Sequence, residues 1–339
     1  VKHLKIAVVG AGAWGTALAC HARRTGHDVA LWALEPAVVE AVEKGHENTP
    51  YLPGVKLPRG LAVSNDAQAV VQGAEMVILV PPSEHLRGTC ARVGPALNSG
   101  AVLLVASKGI ELSTRTLMSD VVASSLPGWP AERLGFLSGP SFAREVASGL
   151  PTDVVVASVG MVAARAAQEA LHAPTFRVYA SGDPIGVQVG GAIKNVIAVA
   201  AGACDGLSLG LNARAALTTR GLAEMSRLGV ALGADPLTFL GLAGVGDLFL
   251  TCGGDLSRNR KLGMAIAAGQ DPKVYVASHT SVAEGYHTSA AAWALAQERG
   301  IDMPITEQVF HVLHEGRPLL EAIKLLVTRA QKEELVGIR

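Results

Sequence analysis

Short, wholly apolar runs alternate with amphipathic stretches through the first half of the chain. Lys5–Val9 is the first such run; a glycine-rich turn follows it, then a helix-like segment, Thr16–Thr25. Asp28–Ala33, a short segment from Val63, Glu75–Val80, Ala101–Ser107, Leu134–Ser138 and Asp153–Ser158 read as further strands. Strands that are apolar throughout are covered on both faces, and their alternation with helices predicts a parallel, doubly wound α/β sheet. The glycine- and proline-rich stretch Gly45–Gly60 reads as a loop.

From about Gly182 the period changes. Gly186–Leu207, Ala213–Leu232, Arg260–Ala268, Ser289–Arg299, Ile305–His314 and Pro318–Val327 repeat apolar positions at helical spacing, with Gly or Pro between them. Asp183-Pro184 makes a helix start, Asp as N-cap and Pro in the first turn. The expected architecture is an α/β domain over residues 1–182 followed by an all-α helical domain over 183–339. At 339 residues and 49% apolar composition, the chain can bury two cores.

Charge and cysteine usage narrow the class. The 29 basic and 29 acidic side chains cancel, which argues against a nucleic-acid or membrane-surface partner and leaves only a local basic pocket for an anion. Cys20, Cys90, Cys204 and Cys252 are scattered, without a CxxC pair or zinc spacing, and read as reduced thiols. The chain enters its first strand directly, and every long apolar run is interrupted by Gly or a polar residue. The expectation is a cytoplasmic protein with no metal and no membrane insertion.

The candidate chemistry begins at Gly10, Gly12 and Gly15. They form GAGAWG, a GxGxxG between a strand and a helix, the dinucleotide fingerprint of a Rossmann domain. The first Gly permits the turn, the second lets the backbone approach a pyrophosphate, and the third lets the helix pack on the strand. The ribose should be read at the end of the second strand, where Ala33 and Leu34 offer neither the carboxylate that favours NAD nor the cation that favours NADP. Glu35 either turns back to the ribose or is solvated. The expectation is therefore use of both cofactors.

Lys194 lies on the first helical run of the second half, with Gly190 and Gly191 one turn before it and Ala198 one turn after. That bare face either leaves room for a ligand beside a functional lysine or serves close helix packing around a snorkelling one. Lys108 follows an apolar strand at the carboxyl end, where open α/β sheets bind ligands; a solvated strand-end lysine reads equally well. Ser257-Arg258-Asn259-Arg260-Lys261 opens a helix with Asp255 or Ser257 as N-cap. Three cations in a first turn oppose the helix dipole, a conflict that a bound phosphate relieves. Ser141 reads as a helix cap after a strand–helix loop.

SKGIE, SGPSFAREVASGLPT, GGAIKNVIAVAAG, GVGDLFLTCGGDLSRNR and VAEGY follow the glycine turn in an order and spacing that resemble the NAD(P)-dependent glycerol-3-phosphate dehydrogenases of the bacterial soluble type. The resemblance runs from Ile6 to about Leu326. It implies reduction of dihydroxyacetone phosphate to sn-glycerol 3-phosphate with NADH or NADPH, supplying glycerophospholipid synthesis, and it leaves a homodimer open. It implies that Lys194 is the catalytic acid/base, with Lys108 and Asp247 as the other catalytic residues. Substrate contacts would come from Lys108, Gly139, Ser141, Lys194, Asn195, Asp247, Ser257, Arg258 and Asn259. Cofactor contacts would come from Gly10, Gly12, Ala13, Trp14, Gly15, Leu34, Lys108, Ala143, Arg258, Val282 and Glu284. Burial and Lys108 would lower the pKa of Lys194, and Asp247 would raise it. A hydroxyacid or opine-type dehydrogenase shares the two-domain plan, but the basic SRNR turn suits phosphate better than a carboxylate. A non-catalytic dinucleotide sensor has no need for Lys194 and Asp247 together.

Overall fold

A computed structural model describes residues 2–279 and 282–330. The chain divides into two units, residues up to Ser107 with Met118–Pro184, and Lys108–Leu117 with the residues from Ile185 onward. The strands are β1 Lys5–Val9, β2 Asp28–Trp32, β3 Ala62–Ser64, β4 Met76–Leu79, β5 Val102–Val105, β6 Ile110–Glu111, β7 Thr116–Leu117, β8 Leu134–Ser138, β9 Thr152–Ser158 and β10 Phe176–Ser181. All but β6 and β7 form one sheet in the order β10-β9-β8-β5-β4-β1-β2-β3. The helices of this unit are α1 Ala13–Arg24, α2 Pro36–Gly45, α3 Ala67–Val71, α4 Leu86–Val93, α5 Met118–Ser125, α6 Ala143–Ala147 and α7 Val162–Leu171.

Ile6, Val8, Val29, Leu31, Ile78 and Leu104 are buried in its core, and α1 covers them with Ala17, Leu18 and Ala22. The sheet is not wholly parallel, because β8 and β9 run antiparallel while β9 and β10 are parallel. The chain between β8 and β9 carries only the five-residue α6, so it turns back beside β8 and makes no crossover. β10 is an edge strand the sequence reading omitted. Its Phe176 and Val178 are buried while Arg177 and Tyr179 are exposed, a half-buried alternation rather than an apolar run.

The second unit is helical: α8 Pro184–Gly206, α9 Leu211–Ala231, α10 Asp247–Gly253, α11 Arg258–Ala267, α12 Pro272–Ser278, α13 Glu284–Arg299, α14 Pro304–His314 and α15 Leu319–Val327. α10 and α12 are one to two turns long, too short to carry a periodic signal in the sequence. α8 is long and apolar enough to cross a bilayer, yet its side chains fill the core of this unit. The β6–β7 hairpin belongs here too, since Ile110 and Leu117 are buried in the same core. A division of the chain at residues 182 and 183 does not separate that hairpin from the sheet.

Candidate active site

In the α/β unit, β1 lies between β4 and β2, the point where strand order reverses and where open sheets leave a crevice at their carboxyl ends. The glycine turn fills that point. Gly10 has φ +117°, and a Cβ there would sit 2.9 Å from the Val80 carbonyl oxygen. A Cβ on Gly15 would sit 1.8 Å from the Gly10 oxygen, so α1 packs backbone to backbone on the turn. Gly12 differs: no atom lies within 4 Å of where its Cβ would be, so the protein alone does not demand glycine there. Gly12 is also the N-cap of α1 and brings no side-chain cap, which leaves its first-turn N–H groups for an anion. The indole Nε1 of Trp14 is buried without a partner among the described residues. Open space, an uncapped helix start and an orphaned donor fit a dinucleotide pyrophosphate.

Around this turn, Ala13 begins α1 and Leu34 is 58% exposed just past β2. Glu35 is exposed and accepts a hydrogen bond from the Tyr51 hydroxyl at 2.9 Å. Gly139, at φ +121°, turns the chain at the end of β8, with Val154 and Asp153 backbone 3.0 and 3.2 Å from its absent Cβ. Ser141 is not a helix cap. Its hydroxyl donates to the Gly139 carbonyl at 2.9 Å, and Phe142 is the N-cap residue of α6, whose first residue is Ala143.

In the helical unit three predicted residues meet. Asp247 is buried and bridges two ammonium groups: its Oδ2 accepts from Lys108 Nζ at 2.8 Å, and its Oδ1 accepts from Lys194 Nζ. Asp247 begins α10 directly after a π-type turn over Leu242–Gly246. Gly190 explains how α8 reaches that turn, because a Cβ on it would lie 2.3 Å from the Ala243 carbonyl oxygen. The bare face seen at Gly190 is thus occupied by backbone and is not room for a ligand. Burial pushes the Lys194 ammonium down most strongly, Asp247 draws it back up and Lys108 lowers it again, leaving a pKa of about 7. Burial pushes the Asp247 carboxyl up, but the Lys108 and Lys194 ammonium groups outweigh it and hold the carboxyl below its usual range.

Ser257, Arg258 and Asn259 lie at the start of α11. Ser257 is its N-cap and accepts from the Arg260 N–H at 3.2 Å. Arg258 keeps exposed surface; the protein packed around its guanidinium lowers its pKa, Glu284 raises it, and an arginine stays charged throughout. Asn259 donates to Asn195 Oδ1 at 2.8 Å and accepts from the Gly285 N–H at 2.9 Å. Asn195 in turn directs its Nδ2 at the carbonyls of Gly191 (3.2 Å) and Lys108 (3.5 Å). These two amides link α8, α11 and α13 and keep little hydrogen-bonding capacity for a ligand. Val282 is half-buried just before Glu284, the first residue of α13.

One group lies outside the sequence expectations and another departs from them. Thr251 stands one turn after Asp247, donates to its backbone carbonyl at 2.6 Å and accepts from Lys194 Nζ at 3.1 Å. Its i+4 spacing was the available signal. Arg260 is not a free phosphate ligand; its guanidinium is bound by Asp205 at 2.7 Å and Asp255 at 2.9 Å. Asp205 is far away in sequence, so only the packing of α8 on α11 reveals the pair.

Comparison with known proteins shows the family and the fold. Residues 5–164 match the N-terminal domain, and residues 183–324 the C-terminal domain, of NAD-dependent glycerol-3-phosphate dehydrogenase. The chain is 51% identical to a glycerol-3-phosphate dehydrogenase (NAD(P)+) of Geobacter metallireducens, covering 97% of this chain and 98% of that protein. The crystal structure of glycerol-3-phosphate dehydrogenase from Coxiella burnetii is similar with a TM-score of 0.92 at 39% identity, over 96% of this chain and 99% of that one. The Saccharomyces cerevisiae enzyme is similar with a TM-score of 0.80 at 26% identity, again over 96% and 99%.

Proposed function

The chain belongs to the NAD-dependent glycerol-3-phosphate dehydrogenase family, and from that membership we propose how its residues carry out the reduction of dihydroxyacetone phosphate to glycerol 3-phosphate. The nicotinamide of bound NADH or NADPH supplies the hydride. Lys194 donates the proton that the carbonyl oxygen takes up as the carbon is reduced, and it recovers that proton in the reverse reaction. The observation that carries this assignment is the buried Lys194–Asp247–Lys108 cluster. A buried ammonium with a pKa of about 7 has both of its protonation states within reach at neutral pH. Asp247 and Thr251 hold Nζ in one direction, so the ammonium is oriented before substrate arrives.

Arg258 binds the substrate phosphate, and the Ser257 cap and the Asn195–Asn259 pair hold the turn that presents it. Gly12 and the uncapped start of α1 receive the pyrophosphate. Both cofactors are used, because Leu34 is exposed and uncharged and Glu35 is engaged by Tyr51. The product supplies glycerophospholipid synthesis. The cytoplasm suits a chain whose four cysteines are free and buried, and exposed Leu237, Leu240 and Phe249 suit a homodimer contact.

The direct test follows NADH absorbance on addition of dihydroxyacetone phosphate, with wild type and Lys194→Ala side by side. The variant should lose about 10²–10⁴-fold in kcat while still binding NADH. Retention of more than about a tenth of wild-type kcat would remove Lys194 from the proton-transfer role.

A further inference from the structure

The glycine turn of the α/β unit is clasped by a loop that the glycine fingerprint does not include. Residues 46–57 fold back on themselves: Leu57 N–H donates to the His46 carbonyl at 2.8 Å, and Lys56 pairs with Glu47 at 3.2 Å. Leu52, Val55 and Leu57 bury their side chains in the core of the unit, which seats the loop. At its start stands Asn48, a side chain with no exposed surface. Its Nδ2 donates to the Ala11 carbonyl and to Thr16 Oγ1, each at 2.8 Å. Its Oδ1 accepts from the Tyr51 N–H at 3.3 Å. Thr16 Oγ1 donates to the same Ala11 carbonyl at 3.3 Å.

We propose that Asn48 is a positioning residue for cofactor binding, acting through the Ala11–Gly12 peptide. In a trans peptide the carbonyl of one residue and the N–H of the next point in opposite directions. Asn48 and Thr16 pull the Ala11 carbonyl inward. The Gly12 N–H therefore points the opposite way, and around Gly12 the space a Cβ would take is open. Without Asn48 only the longer 3.3 Å bond from Thr16 holds this carbonyl, and the plane turns about the φ of Gly12, a residue with no Cβ to restrict it. Donation by the peptide N–H to pyrophosphate requires that plane to be set before the ligand arrives. Tyr51, in the same loop, holds Glu35 at the ribose end, so one loop reaches both the pyrophosphate turn and the ribose end of the dinucleotide site.

A loop staple without this role would change stability alone. The experiment measures NADH affinity by fluorescence titration, urea unfolding of the cofactor-free protein, and KM for dihydroxyacetone phosphate. The variants are Asn48→Ala, Thr16→Val and Thr16→Ser; none introduces a charge that could itself repel the pyrophosphate. Two hydrogen bonds of ordinary strength predict that Asn48→Ala weakens NADH by about 10- to 30-fold. The KM for dihydroxyacetone phosphate at saturating NADH should stay within about twofold, because the substrate contacts are untouched. Thr16→Val should lose about 3- to 10-fold in NADH affinity, and Thr16→Ser, which restores the hydroxyl, should bind like wild type. If Asn48→Ala does not fold, the two Thr16 variants decide. The proposal is overturned if the folded variants bind NADH within about twofold of wild type, whatever their stability. It is equally overturned if Thr16→Ser is as weak as Thr16→Val.

Discussion

Lys194 is governed by competing effects whose order can be stated. Burial is the largest and favours the neutral amine; Asp247 favours the ammonium; Lys108 favours the amine again. With Lys194 as the proposed proton donor, reduction of the carbonyl would need the ammonium, the form present below about 7. The kcat/KM for dihydroxyacetone phosphate should therefore fall as pH rises through about 7, while that for glycerol 3-phosphate oxidation rises over the same interval. Lys108→Ala removes a cation that favours the amine, so the surviving activity should show this limb at higher pH. Rate profiles across pH 5–9 check this; a limb that stays in place would mean another group titrates. At Arg258 the expectation concerns substrate. Arg258→Ala should weaken dihydroxyacetone phosphate by about 2–5 kcal/mol and leave unphosphorylated dihydroxyacetone nearly unaffected. Parallel kcat/KM measurements decide, and equal losses on both would place the phosphate elsewhere.

Between elements, glycine sets the register. Gly190 brings α8 against the Leu242–Gly246 turn that immediately precedes Asp247. A methyl group there meets a backbone oxygen, which cannot rotate away as a side chain could. Gly190→Ala should destabilise the fold by about 1–3 kcal/mol, as overpacking does, and lower kcat too because the turn carries Asp247. Thermal unfolding and steady-state rates, measured together, test the link; a stability loss with full kcat would show that the turn tolerates displacement. Gly190 also shows what a periodic reading misses. Its spacing from Lys194 was plain in the sequence, yet whether backbone or ligand fills that face depends on residues more than fifty positions away. The β8–β9 pair has the same lesson. Both strands were identifiable as apolar runs, but such runs carry no mark of direction, and the reversal follows from the short path through α6.

For the molecule as a whole, two cores share one chain. The first holds the glycine turn, and the second holds Lys194 and Asp247. Anything that binds the native state alone stabilises it. NADH at a hundred times its Kd should therefore raise the stability read from urea unfolding by about 2.7 kcal/mol, with a midpoint that moves with cofactor concentration. An immovable midpoint would mean that the native protein does not bind the nucleotide. Local order in the chain was enough to determine the glycine turn, the α/β-then-helical plan and the basic turn at Ser257, because each rests on neighbours within one helix, strand or loop. Tertiary structure alone decided which charges are free and which are spent. Arg258 and Arg260 are indistinguishable in the string SRNR, but Arg260 is bound by Asp205 and Asp255 while Arg258 keeps exposed surface. Likewise the pKa of Lys194 comes from burial and from two partners at positions 108 and 247, which meet only when the hairpin, α8 and α10 pack together. Electrostatic effects act through space at a few ångströms, and distance along the chain does not encode them.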